Sequence, residues 1–87
     1  MKTLMYFYLK GCPYCRKADD LIASLISENP AYGKISIQRI EERTEADLAN
    51  SYDYYYVPAF FLDGVKLHEG VATKEQIQAV LDAALKE

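Results

Sequence analysis

Eighty-seven residues, 51% of them hydrophobic, suit one small globular domain spanning residues 1–87 with a single core. Thirteen acids against ten bases leave a net charge of −3 and no broad basic patch, which argues against nucleic acid as a main partner. No stretch approaches the roughly 18 apolar residues of a membrane span, and the short apolar run after Met1-Lys2 lacks a small-residue cleavage pattern. The chain therefore reads as a cytoplasmic monomer without a membrane partner.

The first predicted element is a strand over residues 3–9. Leu4, Tyr6 and Tyr8 line one face, and Met5, Phe7 and Leu9 the other. Two apolar faces are the pattern of a central strand with helices on both sides. Lys10-Gly11-Cys12-Pro13-Tyr14-Cys15-Arg16-Lys17 follows and holds both cysteines of the chain. Pro13 suits the first position of a helix, where a missing N–H costs nothing. Cys12 then falls at the N-cap, where a thiolate meets unpaired N–H groups and the positive end of the helix dipole. Cys15 lies on the same face. It is about 4.5 Å further along the axis, within the roughly 4.4–6.8 Å that a disulfide spans between Cα atoms.

Lys10, Arg16 and Lys17 add positive charge, and all these terms favour thiolate at Cys12 against an ordinary pKa of about 8.5. Cys-x-x-Cys at a strand-to-helix junction is the pattern of a dithiol redox site. The bland alternative is a pair of inert core cysteines. A proline between them at a helix start argues against it. A structural zinc site takes four ligands, and the chain offers two cysteines and the distant His68, so no metal is expected within one chain.

Ala18, Leu21, Ile22, Leu25 and Ile26 continue at helical spacing. The helix should stop before Asn29-Pro30, with Tyr32-Gly33 extending the turn. Residues 35–40 read as a second strand, and strand–helix–strand makes a parallel pair. Glu41, Glu42 and Arg43 read as a solvated turn. Thr44 to Asp47 has the form of a capping box with Asp in place of Glu, opening a short helix to about Ser51. Leu48, with Ala49 or Tyr52, should face inward.

Tyr52 and Tyr54 read as packing residues. Tyr55 and Tyr56 stand beside Val57-Pro58 and have the better claim to binding. Residues 59–62 are a strand, Asp63-Gly64 a hairpin turn, and residues 65–68 the returning edge strand, with Lys66 and His68 on its exposed face. Thr73-Lys74-Glu75-Gln76 is a second capping box. Ile77, Val80, Leu81, Ala84 and Leu85 form the stripe of a last helix.

The order β-α-β-α-β-β-α, with Cys12-Pro13-Tyr14-Cys15 opening the first helix and Val57-Pro58 before the third strand, resembles the thioredoxin fold. That is an α/β three-layer architecture with a four-stranded mixed sheet and three helices. The tetrapeptide is that of dithiol glutaredoxins. The resemblance implies a cis Val57-Pro58 bond lying against the cysteines and a thiol–disulfide oxidoreductase in which Cys12 attacks and Cys15 resolves. It implies substrate contacts from Lys10, Pro13, Tyr14, Tyr56, Val57, Pro58 and Thr73. It implies no bound cofactor, glutathione as reductant or co-substrate, disulfide-containing proteins or glutathione mixed disulfides as substrates, and a flavin disulfide reductase upstream.

Two segments depart from the glutaredoxin pattern. Tyr56 stands where threonine is usual before Val-Pro. Glu69-Gly70-Val71-Ala72-Thr73 replaces a Gly-Gly segment, and Glu69 brings negative charge to where a glutathione carboxylate would sit. Thr73, or the N–H groups around it, could still hold an anion. Two rival readings follow: an electron donor docked to one enzyme through the tyrosine cluster, and a carrier of an iron–sulfur cluster shared between two chains. Proline after the first cysteine disfavours the carrier.

Overall fold

β1 (Leu4–Tyr8) and β3 (Ala59–Leu62) are the most apolar segments, and they lie side by side at the centre of the sheet. In this computed structural model, which describes residues 3–86, they are joined by β2 (Ile37–Glu41) and β4 (Val65–Glu69) in the order β2-β1-β3-β4. β1 and β2 run parallel, from Leu4 opposite Ile37 to Tyr8 opposite Glu41. β3 is antiparallel to both β1 and β4. This is the thioredoxin fold.

α1 (Pro13–Glu28) and α3 (Lys74–Lys86) cover one face of the sheet. Their apolar stripes meet Leu4, Tyr6, Phe60 and Leu62 in the larger core cluster. Tyr6 and Phe60 stack with ring centroids 4.7 Å apart. The five-residue α2 (Ala46–Asn50) covers the other face together with Tyr52 and Tyr54. There Phe7 and Phe61 lie against both tyrosine rings. Each fully buried side chain of the size of Leu or Phe contributes roughly 1.5–3 kcal/mol, so the two central strands carry much of the stability. Tyr52 and Tyr54 are packing residues, as their position in the sequence suggested. The Tyr52 hydroxyl donates to the Met5 sulfur at 3.0 Å.

Several boundaries differ from the sequence expectation. Pro30–Lys34 is a turn of 3-10 helix, with the Asn29 side chain accepting the Ala31 N–H. β2 consequently starts at Ile37 and ends at Glu41. The Thr44 box does not form. α2 begins at Ala46 after an uncapped Glu45, because Thr44 is drawn instead to the Glu41 carboxylate, which accepts its N–H at 2.9 Å. Glu41 is thus no freely solvated turn residue. The Thr73 box does form: Gln76 N–H donates to the Thr73 hydroxyl at 3.2 Å, and Thr73 N–H to the Gln76 side chain at 2.9 Å.

Asp63 (φ 52°) and Gly64 (φ 80°) make the hairpin turn with both central residues left-handed. His68 is half-buried on β4, its Nε2 3.2 Å from the Val71 carbonyl. No helix among the described residues is long and apolar enough to cross a membrane.

Candidate active site

The strand register gathers the site at one end of the sheet. Tyr8, which precedes the Leu9–Cys12 turn, lies opposite Glu41. Ala59, just after Pro58, pairs with Phe7 on one side and Glu69 on the other. The Leu9–Cys12 turn is closed by the Cys12 N–H donating to the Leu9 carbonyl at 3.1 Å. Gly11 sits in it at φ +87°, a conformation that favours glycine.

Cys12 is the N-cap of α1 in extended conformation (φ −81°, ψ 120°), and Pro13 is the first helical residue. Both cysteines are free thiols, Cys12 half-buried and Cys15 only 3% exposed. Burial at Cys15 follows from the helix stripe it shares with Ala18, Ile22 and Leu25. The two thiols border one cleft of about 210 Å³ with Tyr8, Lys10, Arg16 and Asp19. A larger cleft, of about 650 Å³, lies by α2 between Glu42, Arg43 and the tyrosines. It contains no thiol.

The environments of the two thiols push them apart. Burial opposes a thiolate at Cys12, but the Cys15 N–H and thiol and the Tyr14 N–H outweigh it, and the Cys12 pKa falls below the ordinary cysteine value. These N–H groups act on the sulfur without completing a side-chain cap bond. Glu42 opposes the thiolate more weakly. Burial first, and then the neighbouring Cys12, push the Cys15 thiol up to about 12. Beneath Cys15 the Tyr6 hydroxyl donates to its carbonyl at 3.0 Å. One carboxylate oxygen of Asp19 is buried without a hydrogen-bond partner, and Arg39 Nε lies 3.6 Å from it.

The Val57-Pro58 bond is cis, as the resemblance implied. The Pro58 carbonyl accepts the Gly70 N–H at 2.8 Å. Tyr14 (54% exposed), Tyr55 (83%) and Tyr56 (69%) present bare rings. The segment entering Pro58 is strapped down by Glu69. Its carboxylate accepts the Tyr55 and Tyr56 N–H groups at 2.8 and 3.1 Å and the Lys66 ammonium at 2.5 Å. Lys66 first, and then the two N–H groups, hold the Glu69 carboxyl at about 2. Thr73 has both its N–H and its hydroxyl engaged in the capping box. The Lys10 N–H is taken by Glu41.

Sequence reasoning located the cysteines and the proline but passed over Tyr6, Asp19 and Glu41. Asp19 had a legible signal, four residues beyond Cys15 on the same helix face. Glu41 had none, since its partner Lys10 is 31 residues away. Among the described residues no three His, Cys, Asp or Glu side chains converge to hold a metal ion.

A sequence model of the thioredoxin domain matches residues 7–82. The chain belongs to the thioredoxin-domain family. A protein disulfide isomerase-like 1-4 of rice (Oryza sativa subsp. japonica) is 32% identical over 79 residues, 86% of this chain but only 14% of that protein's length. Among solved structures, an uncharacterised thioredoxin-like protein of Clostridium perfringens is 30% identical with a TM-score of 0.70, covering 100% of this chain and 74% of its own. A thioredoxin of Malassezia sympodialis, 21% identical, has a TM-score of 0.71 over 97% of this chain and 77% of its own. At that identity the last likeness concerns the fold alone. The narrower likeness to glutaredoxins rests on the Cys12-Pro13-Tyr14-Cys15 motif.

Proposed function

We propose that the protein is a thiol–disulfide oxidoreductase that reduces disulfides of other proteins through Cys12 and Cys15. The observation that carries this is the pairing of an accessible, acidified thiol at a helix N-terminus with a buried, weakly acidic one a turn further on.

The Cys12 thiolate attacks one sulfur of a substrate disulfide. A Cys12–substrate disulfide forms, and the first substrate thiolate leaves and takes up a proton. Cys12 is then no longer charged and no longer accepts from the Cys15 thiol, so two of the causes that hold the Cys15 pKa up disappear. Cys15 gives its proton to the solvent, attacks the Cys12 sulfur and displaces the second substrate thiolate, which takes up a proton from the solvent in turn. The substrate gains two electrons, and the protein is left with a Cys12–Cys15 disulfide. The order of the two attacks is thereby built into the electrostatics.

The main chain at Val57, Pro13 and Tyr14 would border an extended substrate segment, with Val57 pairing to it as an added strand would. The exposed Tyr14, Tyr55 and Tyr56 rings favour a polypeptide over a small thiol. Glu69 points the same way. It already occupies two N–H groups beside the cis proline that a carboxylate ligand would seek. Glutathione mixed disulfides are accordingly the second substrate class, and Lys10, which borders the thiol cleft, would meet their carboxylates. No cofactor is needed in the exchange itself, and a flavin disulfide reductase or glutathione would return the electrons.

Turnover of a protein disulfide and of a glutathionylated peptide, each driven by glutathione with its reductase or by a thioredoxin reductase, tests this. Cys12→Ser should abolish all turnover. Cys15→Ser should trap a protein mixed disulfide while keeping any deglutathionylation. Full activity in Cys12→Ser refutes the proposal.

A further inference from the structure

We propose that Glu41 is a positioning residue for the Cys12 nucleophile, acting through the turn that presents it. The inference rests on the dithiol reading above. Glu41 ends β2 directly opposite Tyr8, where β1 ends and the Leu9–Cys12 turn begins. Within that turn the Lys10 N–H donates across the sheet edge to Glu41 Oε2 at 2.9 Å. The other oxygen, Oε1, accepts the Arg43 and Thr44 N–H groups at 2.6 and 2.9 Å and the Thr44 hydroxyl at 3.3 Å. One carboxylate therefore fastens the nucleophile's turn to the β2–α2 loop. Hydrogen bonds to an ionised acceptor are the strong ones, and the Lys10 N–H is the foremost cause that holds this carboxyl at about 2.

The turn matters because Cys12 is acidified by direction as well as distance. The Tyr14 and Cys15 N–H groups must point at its sulfur, and such interactions weaken steeply with angle. The other charged or titratable groups around Cys12 are Tyr14, Cys15 and Arg16 on α1, Tyr8 at the end of β1, Lys10 on the turn and Glu42 after β2, with Asp19 further along the cleft. Glu41 touches none of the reacting atoms. Its own negative charge, taken alone, disfavours a thiolate nearby. Removing that charge by itself lowers the Cys12 pKa, whereas loosening the turn raises it. The two effects have opposite signs, which makes the test decisive.

The measurement is the rate of iodoacetamide alkylation of Cys12 against pH in the whole reduced chain, with folding followed by circular dichroism. Glu41→Ala removes both sets of bonds. Glu41→Gln keeps the size but has one oxygen for donors on two sides. Both should move the alkylation midpoint upward by about 0.5 to 1 pH unit, cutting the rate about three- to tenfold at pH values well below the wild-type midpoint. Thr44→Ala, which removes only the hydroxyl contact, should leave the midpoint in place. An unchanged or lowered midpoint in folded Glu41→Gln overturns the proposal. Failure of Glu41→Gln to fold overturns it too, since Glu41 would then serve the fold rather than the nucleophile. Alkylation needs no disulfide substrate, so its outcome is separate from that of the Cys12→Ser turnover assay.

Discussion

Iodoacetamide should modify Cys12 well ahead of Cys15, by a margin that can be worked out. The Cys15 thiol is pushed up to about 12, first by burial, and Cys12 lies below the ordinary cysteine range of roughly 8.5 to 9.0. The two ionisations are therefore at least about three pH units apart, and at pH 7 the thiolate populations differ by at least about a thousandfold. Part of this is given back, because a more basic thiolate is intrinsically more nucleophilic. A Brønsted slope of about 0.4–0.5 returns about 15- to 30-fold to Cys15. The net preference is at least about 30- to 60-fold before access is considered, and access favours Cys12 further. A short pulse of reagent at pH 7, then acid quench and peptide mass spectrometry, reads the ratio directly. In Cys12→Ser the Cys15 midpoint should fall, since the Cys12 thiolate is gone, yet stay above the ordinary value because burial remains. Alkylation of Cys15 within tenfold of Cys12 in the folded wild-type chain refutes the assignment of Cys12 as nucleophile.

Two further outcomes follow from buried and strapped groups. Tyr6→Phe deletes a fully buried hydroxyl bonded to the Cys15 carbonyl. It should cost about 1 kcal/mol and lower the thermal midpoint by about 4–8 °C; a midpoint as high as wild type contradicts this. Glu41 and Glu69 are both held at about 2, below the 4.5 of an ordinary glutamate. Depressed carboxyls stabilise the folded state above their unfolded pKa, so stability should decline as pH falls from about 4.5 towards 2. Denaturant titrations across that range check it, and a flat profile contradicts it.

The Cys12-Pro13-Tyr14-Cys15 arrangement was legible in the sequence because its logic is local. A proline fixes the first helical position, the preceding residue becomes the N-cap, and three residues of helix set the reach between the sulfurs. The same holds for the α1 stripe that buries Cys15, the left-handed Asp63-Gly64 turn and the Thr73 box. Each is decided by neighbours within one turn of chain. The Thr44 box is the instructive exception. Its local pattern was sound, but Thr44 bonds to Glu41 instead.

Glu41 and Glu69 show what only the tertiary structure decided. In the sequence each is a charged residue in a polar stretch, and Glu69 reads as an obstacle to an anionic ligand. The sheet places the end of β2 beside the start of the Cys12 turn, and the end of β4 beside the residues entering Pro58. Backbone N–H groups 31 and 14 residues away then converge on these carboxylates. N–H groups outside the ladder need acceptors, and which side chain supplies them depends on strand order. No periodicity or local spacing encodes that order.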